Sequence, residues 1–131
     1  PAWVRGRGEM ISPINLDLSS FSMILVHPAI HVDTAWAFSK IKPGAPEKRI
    51  VDALKLPIAE WKSTIKNDFE LPVFREFPDL LKIKNRLYES GALYASMTGS
   101  GSTIYGIFEK NAIPSISFDQ NFRIDIINEL K

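Results

Sequence analysis

The sequence predicts an α+β domain in which helices pack on a mostly antiparallel sheet. Three observations support this fold class. The compact apolar run FSMILVHP is typical of a buried strand, amphipathic helical patterns fill the middle of the chain, and two short β-prone runs follow as a hairpin. The length of 131 residues and the hydrophobic fraction of 45% fit one domain, residues 1–131, with a core of its own.

The first third of the chain predicts strands and one short helix. EMISPINLDLSS contains an apolar–polar alternation and closes in a serine-rich turn. Pro28 ends the run FSMILVHP, and Asp33 or Thr34 then offers an N-cap for a short helix in AIHVDTAWAFSKI. The segment KPGAPEKR has two prolines and a glycine and therefore predicts a turn.

Two helices are predicted after this turn, each beginning near a proline. Pro46 suits the first turn of one helix, and Pro57 begins the next. The apolar side of the first consists of Ile50, Val51 and Leu54. The apolar stripe of the second consists of Ile58, Trp61, Ile65 and Phe69. Because proline cannot continue a helix from its interior, Pro72 is expected to end this pattern.

A third helix is predicted between Pro78 and Gly91, where glycine is the natural stop. Its buried side is expected to consist of Leu80, Leu81, Ile83, Leu87 and Tyr88. The hairpin runs LYASM and TIYGIF follow, and NAIPSISFDQ is expected to be an irregular or short helical connection. An alternation of Phe122, Ile124 and Ile126 then predicts a last strand.

The segment MTGSGST joins the two hairpin runs and is the strongest candidate for a binding loop. Gly99 and Gly101 permit positive φ and remove Cβ atoms that would hold a ligand away, and successive N–H groups in such a turn can converge on an anion. Ser100 and its neighbouring hydroxyls add neutral donors. A hairpin turn in which the glycines serve geometry alone is the alternative. The segment is neither a Walker A loop nor a nucleophile elbow, since it lacks the required lysine and spacing.

A second candidate site lies on the short helix, where Thr34 and Phe38 are four residues apart and share a face. An aromatic ring beside a hydroxyl can hold a planar base by stacking and by a polar contact at its edge. Packing of this aromatic stretch in the core is the alternative. His27 and His31 are also four apart, but Pro28 lies between them, which favours a structural or solvent role over a metal site.

Composition excludes several classes of protein. The net charge is +1, with 16 basic and 15 acidic residues, so nucleic acid and anionic membranes are not expected partners. An RNA-binding module remains open because Tyr94 and Tyr105 lie on the hairpin, although no RNP-like run is present. Cysteine is absent, no apolar run reaches about 18 residues, and no signal peptide is recognised, which is compatible with a cytoplasmic protein.

Four segments in order, GRGE, HPAIHVDTAWAFS, NDFE and ASMTGSGST, resemble the C-terminal half of a GHMP-superfamily kinase. The resemblance runs from about Arg5 to Phe108. ASMTGSGST is similar to the third motif of the superfamily and would fit mevalonate- or homoserine-type kinases as well. The segments HPAIHVDTAWAFS and NDFE resemble more specifically the kinases that act on a diphosphocytidyl-methylerythritol substrate. Ala35 stands where some of those kinases have proline.

The resemblance implies a ferredoxin-like C-terminal domain of a two-domain kinase. Thr34 and Phe38 would lie beside the cytosine of a small cytidyl substrate, and Gly99, Ser100 and Gly101 would lie near the transferred phosphate. The NDFE segment, residues 67–70, is interpreted as structural. ATP and Mg²⁺ would be bound mainly by an N-terminal kinase domain that is the partner of this one.

The resemblance also predicts that this chain is a fragment. The ATP-binding loop of the superfamily, its catalytic Asp and its Lys near the N-terminus have no counterpart in the sequence. No catalytic residue and no metal ligand is therefore assigned to this chain. Because phosphoryl transfer depends on those groups, the chain is predicted to be inactive alone.

Overall fold

Helices and a four-stranded antiparallel sheet form the fold in the computed structural model, which describes residues 1–42, 44, 50–118 and 122–130. The strands are β1 (Ala2–Arg5), β2 (Met10–Pro13), β3 (Phe21–His27), β4 (Tyr94–Met97), β5 (Ile104–Glu109) and β6 (Arg123–Ile127). The helices are α1 (Thr34–Lys40), α2 (Ile50–Ala53), α3 (Ile58–Thr64), α4 (Glu70–Glu76) and α5 (Pro78–Glu89). The predicted α+β class is confirmed, and the helix start expected at Pro46 lies outside the described residues.

The main sheet has the strand order β4–β5–β3–β6, and every neighbouring pair is antiparallel. This is the strand order of a ferredoxin-like fold. The hairpin β4–β5, which follows the helices, lies on one side of β3, and β6 lies on the other side. The described residues between β5 and β6 form no helix, so that connection is irregular as far as it is described. β1 and β2 form a separate antiparallel ribbon, with Val4 opposite Ile11.

Both faces of the sheet are covered. On one face Ile24, Val26 and Phe108 belong to a core that includes Val73 of α4 and Leu80 of α5. Alternate strand residues point to the other face, where a second cluster is built around Ile58, Trp61, Tyr94 and Ile107. Because β3 lies in the middle of the sheet, its side chains are enclosed on both sides, which accounts for its nearly continuous apolar sequence.

The cap predicted for α1 is present. Asp33 has extended backbone angles, and its Oδ1 accepts a hydrogen bond of 2.6 Å from the N–H of Trp36. This satisfies one of the N–H groups that a helix leaves free at its start. The cap fixes where α1 begins and therefore which side chains face the hairpin.

The helix predicted across residues 58–69 is wrong in its extent. α3 ends at Thr64, and Ile65 adopts extended angles, φ −108° and ψ 119°. α4 then begins at Glu70 and includes Pro72, which was expected to stop the pattern. Pro72 is the third residue of α4, where an N–H has no intrahelical partner to lose, so proline is tolerated there.

The helix α5 is confirmed, and Gly91 after it has φ 98°. Leu80, Ile83 and Leu87 are buried as predicted, but Leu81 is not, with 41% of its surface exposed. Leu81 lies about 100° around the helix from Leu80, which turns it away from the core. Within the described part of the chain, no helix has the length and apolar character needed to cross a membrane.

Two tyrosines tie the helices to β4, which is an edge strand of the sheet. Tyr88 Oη donates to the carbonyl of Ala95 at 3.1 Å. Tyr94 Oη donates to the carbonyl of Ile65 at 3.4 Å. Burial raises the pKa of both phenols, so both stay protonated donors at neutral pH.

Candidate functional site

The glycine loop, residues 98–103, joins β4 and β5 as a hydrogen-bonded turn. The N–H of Thr98 donates to the carbonyl of Thr103 at 2.9 Å, and the N–H of Gly101 donates to the carbonyl of Thr98 at 3.0 Å. Gly99 has φ 51° and Gly101 has φ 103°, both in the left-handed region. The predicted hairpin is therefore correct, and both glycines meet a conformational need.

Several N–H groups of the glycine loop remain available to a ligand. Across the residues that the structure describes, the N–H groups of Gly99, Ser100 and Ser102 donate to no protein acceptor. The hydroxyl of Ser100 lies on the same turn. The loop thus offers neutral donors close together, which is the arrangement that suits an anionic group.

Asn67 holds the glycine loop from the side of α4. Its Nδ2 donates to the carbonyls of Met97 and Gly99, both at 2.8 Å. Its Oδ1 accepts from the N–H of Phe69 at 3.0 Å, and its own carbonyl accepts from the N–H of Glu70 at 3.0 Å. The NDFE segment is thus a turn that starts α4, and its Asn67 also binds the glycine loop. The sequence did not indicate this second role.

Glu70 supports the same strand end. Its Oε1 accepts from the N–H of Met97 at 2.8 Å and from the hydroxyl of Ser96 at 3.0 Å. Its Oε2 pairs with the ammonium of Lys84, and both side chains are mostly buried. A carboxylate so well bonded fixes the position of β4 where the glycine loop begins.

His27 connects the other end of the glycine loop to β6. Its Nδ1 lies 3.0 Å from Thr103 Oγ1, and its Nε2 lies 3.1 Å from Asp125 Oδ2. A hydrogen bond from the Arg123 guanidinium lowers the pKa of the Asp125 carboxyl. His27 is the last residue of β3, so it does not share a helical face with His31. No group of three or more His, Cys, Asp or Glu side chains in the described ranges converges as metal ligands do.

The structure brings the two predicted sites together. Thr34 Oγ1 of α1 lies 3.3 Å from Ser100 Oγ of the glycine loop. Phe38, one turn further along α1, is 60% exposed and meets the ring of Phe69 edge-on, with centroids 4.9 Å apart. Trp36 instead packs against Phe77 at 6.0 Å. Phe38 is therefore a surface ring beside the loop, and the core-packing alternative fits Trp36 better.

A groove of about 730 Å³ lies next to this site, beside the edge strand β4. Asn67, Glu70 and Tyr94 line it, together with Asn85 of α5. Asn85 is exposed, and its side chain makes no hydrogen bond to any residue that the structure describes. The groove thus contains one asparagine that holds the glycine loop and another that does not.

A ferredoxin-like sheet, a glycine hairpin loop and an adjoining short helix thus meet at one site in this chain. The model of the family described as GHMP kinases C terminal matches residues 50–117, more than half of the chain. The chain belongs to this family.

Curated proteins that are similar to this chain share the name 4-diphosphocytidyl-2-C-methyl-D-erythritol kinase. A 4-diphosphocytidyl-2-C-methyl-D-erythritol kinase of Parabacteroides distasonis is 44% identical over 110 residues, covering 84% of this chain and 41% of that protein. One of Bacteroides fragilis is 39% identical over 123 residues, covering 93% and 45%. A crystal structure of 4-(cytidine 5'-diphospho)-2C-methyl-D-erythritol kinase matches with a TM-score of 0.65 at 27% identity, covering 80% of this chain and 39% of that one. The chain spans less than half the length of each.

Proposed function

We propose that the chain is the substrate-side, C-terminal domain of a kinase that transfers the γ-phosphoryl group of ATP to the 2-hydroxyl of 4-diphosphocytidyl-2-C-methyl-D-erythritol. This reaction belongs to non-mevalonate isoprenoid biosynthesis. The observation that carries the proposal is the 3.3 Å contact between Thr34 Oγ1 and Ser100 Oγ. It joins the side chains suited to a base and the loop suited to a phosphate in one site. The names of the relatives support the particular substrate.

The cytosine would lie on Phe38. Phe38 is 60% exposed, and its ring meets that of Phe69 edge-on, so the ring is supported on one side and still has surface for a ligand. A nucleobase stacks on such a ring through its own π-face. Thr34, on the same face of α1, supplies a hydroxyl that can contact the polar edge of the base.

The diphosphate or the transferred phosphoryl group would lie at the glycine loop. The free N–H groups of Gly99, Ser100 and Ser102 fit a phosphate oxygen, and the absence of a side chain at Gly99, where nothing lies within 4 Å of a Cβ position, lets it approach the backbone. Phosphoryl transfer also requires neutralisation of developing charge, which neutral donors supply only in part. In this proposal ATP, Mg²⁺, the catalytic Asp and the catalytic Lys belong mainly to an N-terminal domain.

The ribbon of β1 and β2 is proposed to contact that N-terminal domain. Val4 is 55% exposed and Ile11, directly opposite it, is 68% exposed. Neighbouring exposed apolar side chains on a ribbon are typical of a surface that another domain covers.

The complete kinase is proposed to act in the cytoplasm, where its small-molecule substrates are found.

The experiment that tests the cytidyl site is a Phe38→Ala substitution in the complete kinase. Loss of the stacking ring is expected to weaken binding of cytidine diphosphate by ~1–3 kcal/mol, measured by calorimetry. Phe38→Trp, which keeps a stacking surface, is expected to bind the nucleotide about as well as the wild type.

A matched control is Leu71→Ala, because Leu71 is a similarly exposed apolar residue, 65% exposed, that belongs to α4 and not to α1. It should leave nucleotide affinity unchanged. If Phe38→Ala also leaves affinity unchanged, the proposed stacking of cytosine on Phe38 is wrong. If the wild-type kinase binds no cytidine diphosphate, a mevalonate- or homoserine-type substrate, which has no base, is preferred for the same glycine loop.

A further inference from the structure

The side-chain amide of Asn67 can face the glycine loop in one orientation only. Its Nδ2 uses both of its hydrogens, on the carbonyls of Met97 and Gly99 at 2.8 Å each, while Oδ1 accepts from the N–H of Phe69 at 3.0 Å. Rotating the amide by half a turn would set an oxygen against both carbonyls and a nitrogen against an N–H. The three bonds therefore specify asparagine, since aspartate has no hydrogens to donate when ionised.

These bonds also orient the N–H groups that follow the two carbonyls. In a planar trans peptide the C=O and the N–H of the next residue point in opposite directions. The carbonyl of Met97 points at Asn67, and the N–H of Thr98 accordingly points the other way, to the carbonyl of Thr103 at 2.9 Å. By the same geometry, the bond from Asn67 to the carbonyl of Gly99 directs the N–H of Ser100 away from Asn67.

The N–H of Ser100 has no acceptor in the described part of the chain. The hydroxyl of the same residue lies 3.3 Å from Thr34 Oγ1, so Ser100 is next to the α1 face that carries the proposed base site. The donor that Asn67 orients thus belongs to the residue at which the two parts of the site meet.

We propose that Asn67 is a positioning residue that sets the plane of the Gly99–Ser100 peptide and so aims the Ser100 N–H at an anionic oxygen of the bound phosphate. The identity of that anion rests on the proposed kinase function, whereas the orientation of the peptide does not. A donor that is fixed before the ligand arrives requires no reorganisation during the reaction. Donors of this kind therefore stabilise the transition state and raise the rate.

The surroundings of Asn67 keep it rigid. It begins α4 through the bond from the N–H of Glu70, and Glu70 is itself bonded to the N–H of Met97 and paired with Lys84. The loop and the helix are thus linked at two neighbouring points. A change at Asn67 releases the loop while the second link still holds β4 to the helix.

The test compares Asn67→Asp with Asn85→Asp in the complete kinase. Both substitutions make the same chemical change in the same groove, but only Asn67 contacts the loop. Asn67→Asp is expected to lower kcat about 10–100-fold, because the Ser100 N–H would no longer point at the anion and would not stabilise the transition state. The KM for the cytidyl substrate should stay within about threefold if the anion at the loop is the transferred phosphoryl group, and should rise as well if it is the diphosphate of the substrate. Asn85→Asp should change neither constant.

A second readout does not depend on the reaction. In Asn67→Asp the amide hydrogen exchange of Thr98 and Gly101, whose N–H groups close the turn, is expected to accelerate about tenfold or more. Asn85→Asp should leave it unchanged. If the wild-type protein lacks the kinase activity, the proposed function fails, and the exchange comparison still decides whether Asn67 orders the loop.

The proposal is overturned if Asn67→Asp keeps its kcat within threefold of the wild type, or if Asn85→Asp lowers kcat equally. Unchanged exchange at Thr98 and Gly101 would also overturn it. Should Asn67→Asp fail to fold, Asn67→Ser serves instead. Its hydroxyl can still accept from the N–H of Phe69, but it is too short to bond both carbonyls, and the same losses are expected.

Discussion

At position 101 both the backbone conformation and the surrounding side chains require glycine. Its φ is 103°, and a Cβ there would lie 2.9 Å from Met97 Sδ and 3.4 Å from Val32 Cγ2. Gly8 has a similar φ of 107°, but nothing lies within 4 Å of a Cβ at that position. The two glycines therefore separate the effect of conformation from the effect of contact.

Gly101→Ala is expected to lower the free energy of unfolding by ~1–3 kcal/mol through backbone strain, with a further loss from displacing Met97. Gly8→Ala should show the strain alone and so a smaller loss. Urea unfolding of both variants measures the difference. Equal losses would mean that the contact with Met97 has no effect on stability.

The residues of the candidate site differ in how far the sequence could predict them. Thr34 and Phe38 were recognisable as neighbours because a helix fixes the geometry of residues four apart. The glycines were recognisable from their position between two strand patterns. The bonds of Asn67 reach residues 30 and 32 positions away, and no local pattern reports contacts at that separation. The Asn-x-x-Glu spacing at the start of α4 suggests a helix start, but it does not indicate that Asn67 also binds the glycine loop.

At the scale of elements, α5 shows why strongly periodic segments are predicted well. Leu80, Ile83 and Leu87 repeat at helical spacing, and all three are buried against the sheet. The break between α3 and α4 was missed because the apolar stripe continues through it in sequence. Ile65 and Phe69 remain partly buried, but they pack with different clusters. Hydrophobic spacing alone does not show that a chain has changed direction.

Adjacent leucines of α5 test this account of the helix. Leu80→Ala, at a fully buried position, is expected to lower the free energy of unfolding by ~2–5 kcal/mol because it leaves a cavity. Leu81→Ala, at a position 41% exposed, should lower it by less than about 1 kcal/mol. Chemical denaturation of both variants measures these values. A larger loss at Leu81 would contradict the orientation of α5.

At the scale of the whole molecule, the antiparallel sheet has both faces covered, and the site it carries is proposed to be only part of a kinase site. The fold class was predictable because strand patterns, then helical patterns, then strand patterns occupy separate parts of the chain. The order of the strands was not predictable from periodicity, since pairing β3 between β5 and β6 depends on long-range contacts. The family resemblance supplied that information instead.

The chain of residues 1–131 is expected not to phosphorylate the diphosphocytidyl substrate by itself, because the proposed ATP-binding groups belong to another domain. Incubation with ATP, Mg²⁺ and the substrate, with ADP release as the readout, measures this. The complete kinase serves as the positive control. Turnover by the chain alone at a comparable rate would contradict the proposed division of the site.

The hydrogen bonds that hold the glycine loop also affect how the molecule meets other copies of itself. β4 is an edge strand, and an exposed edge strand is a template on which another chain can add a strand. Here Tyr88 occupies the carbonyl of Ala95, while Asn67 and Glu70 occupy the carbonyl and the N–H of Met97. Side chains thus take the places that a neighbouring strand would use. We expect these contacts to protect this edge against aggregation.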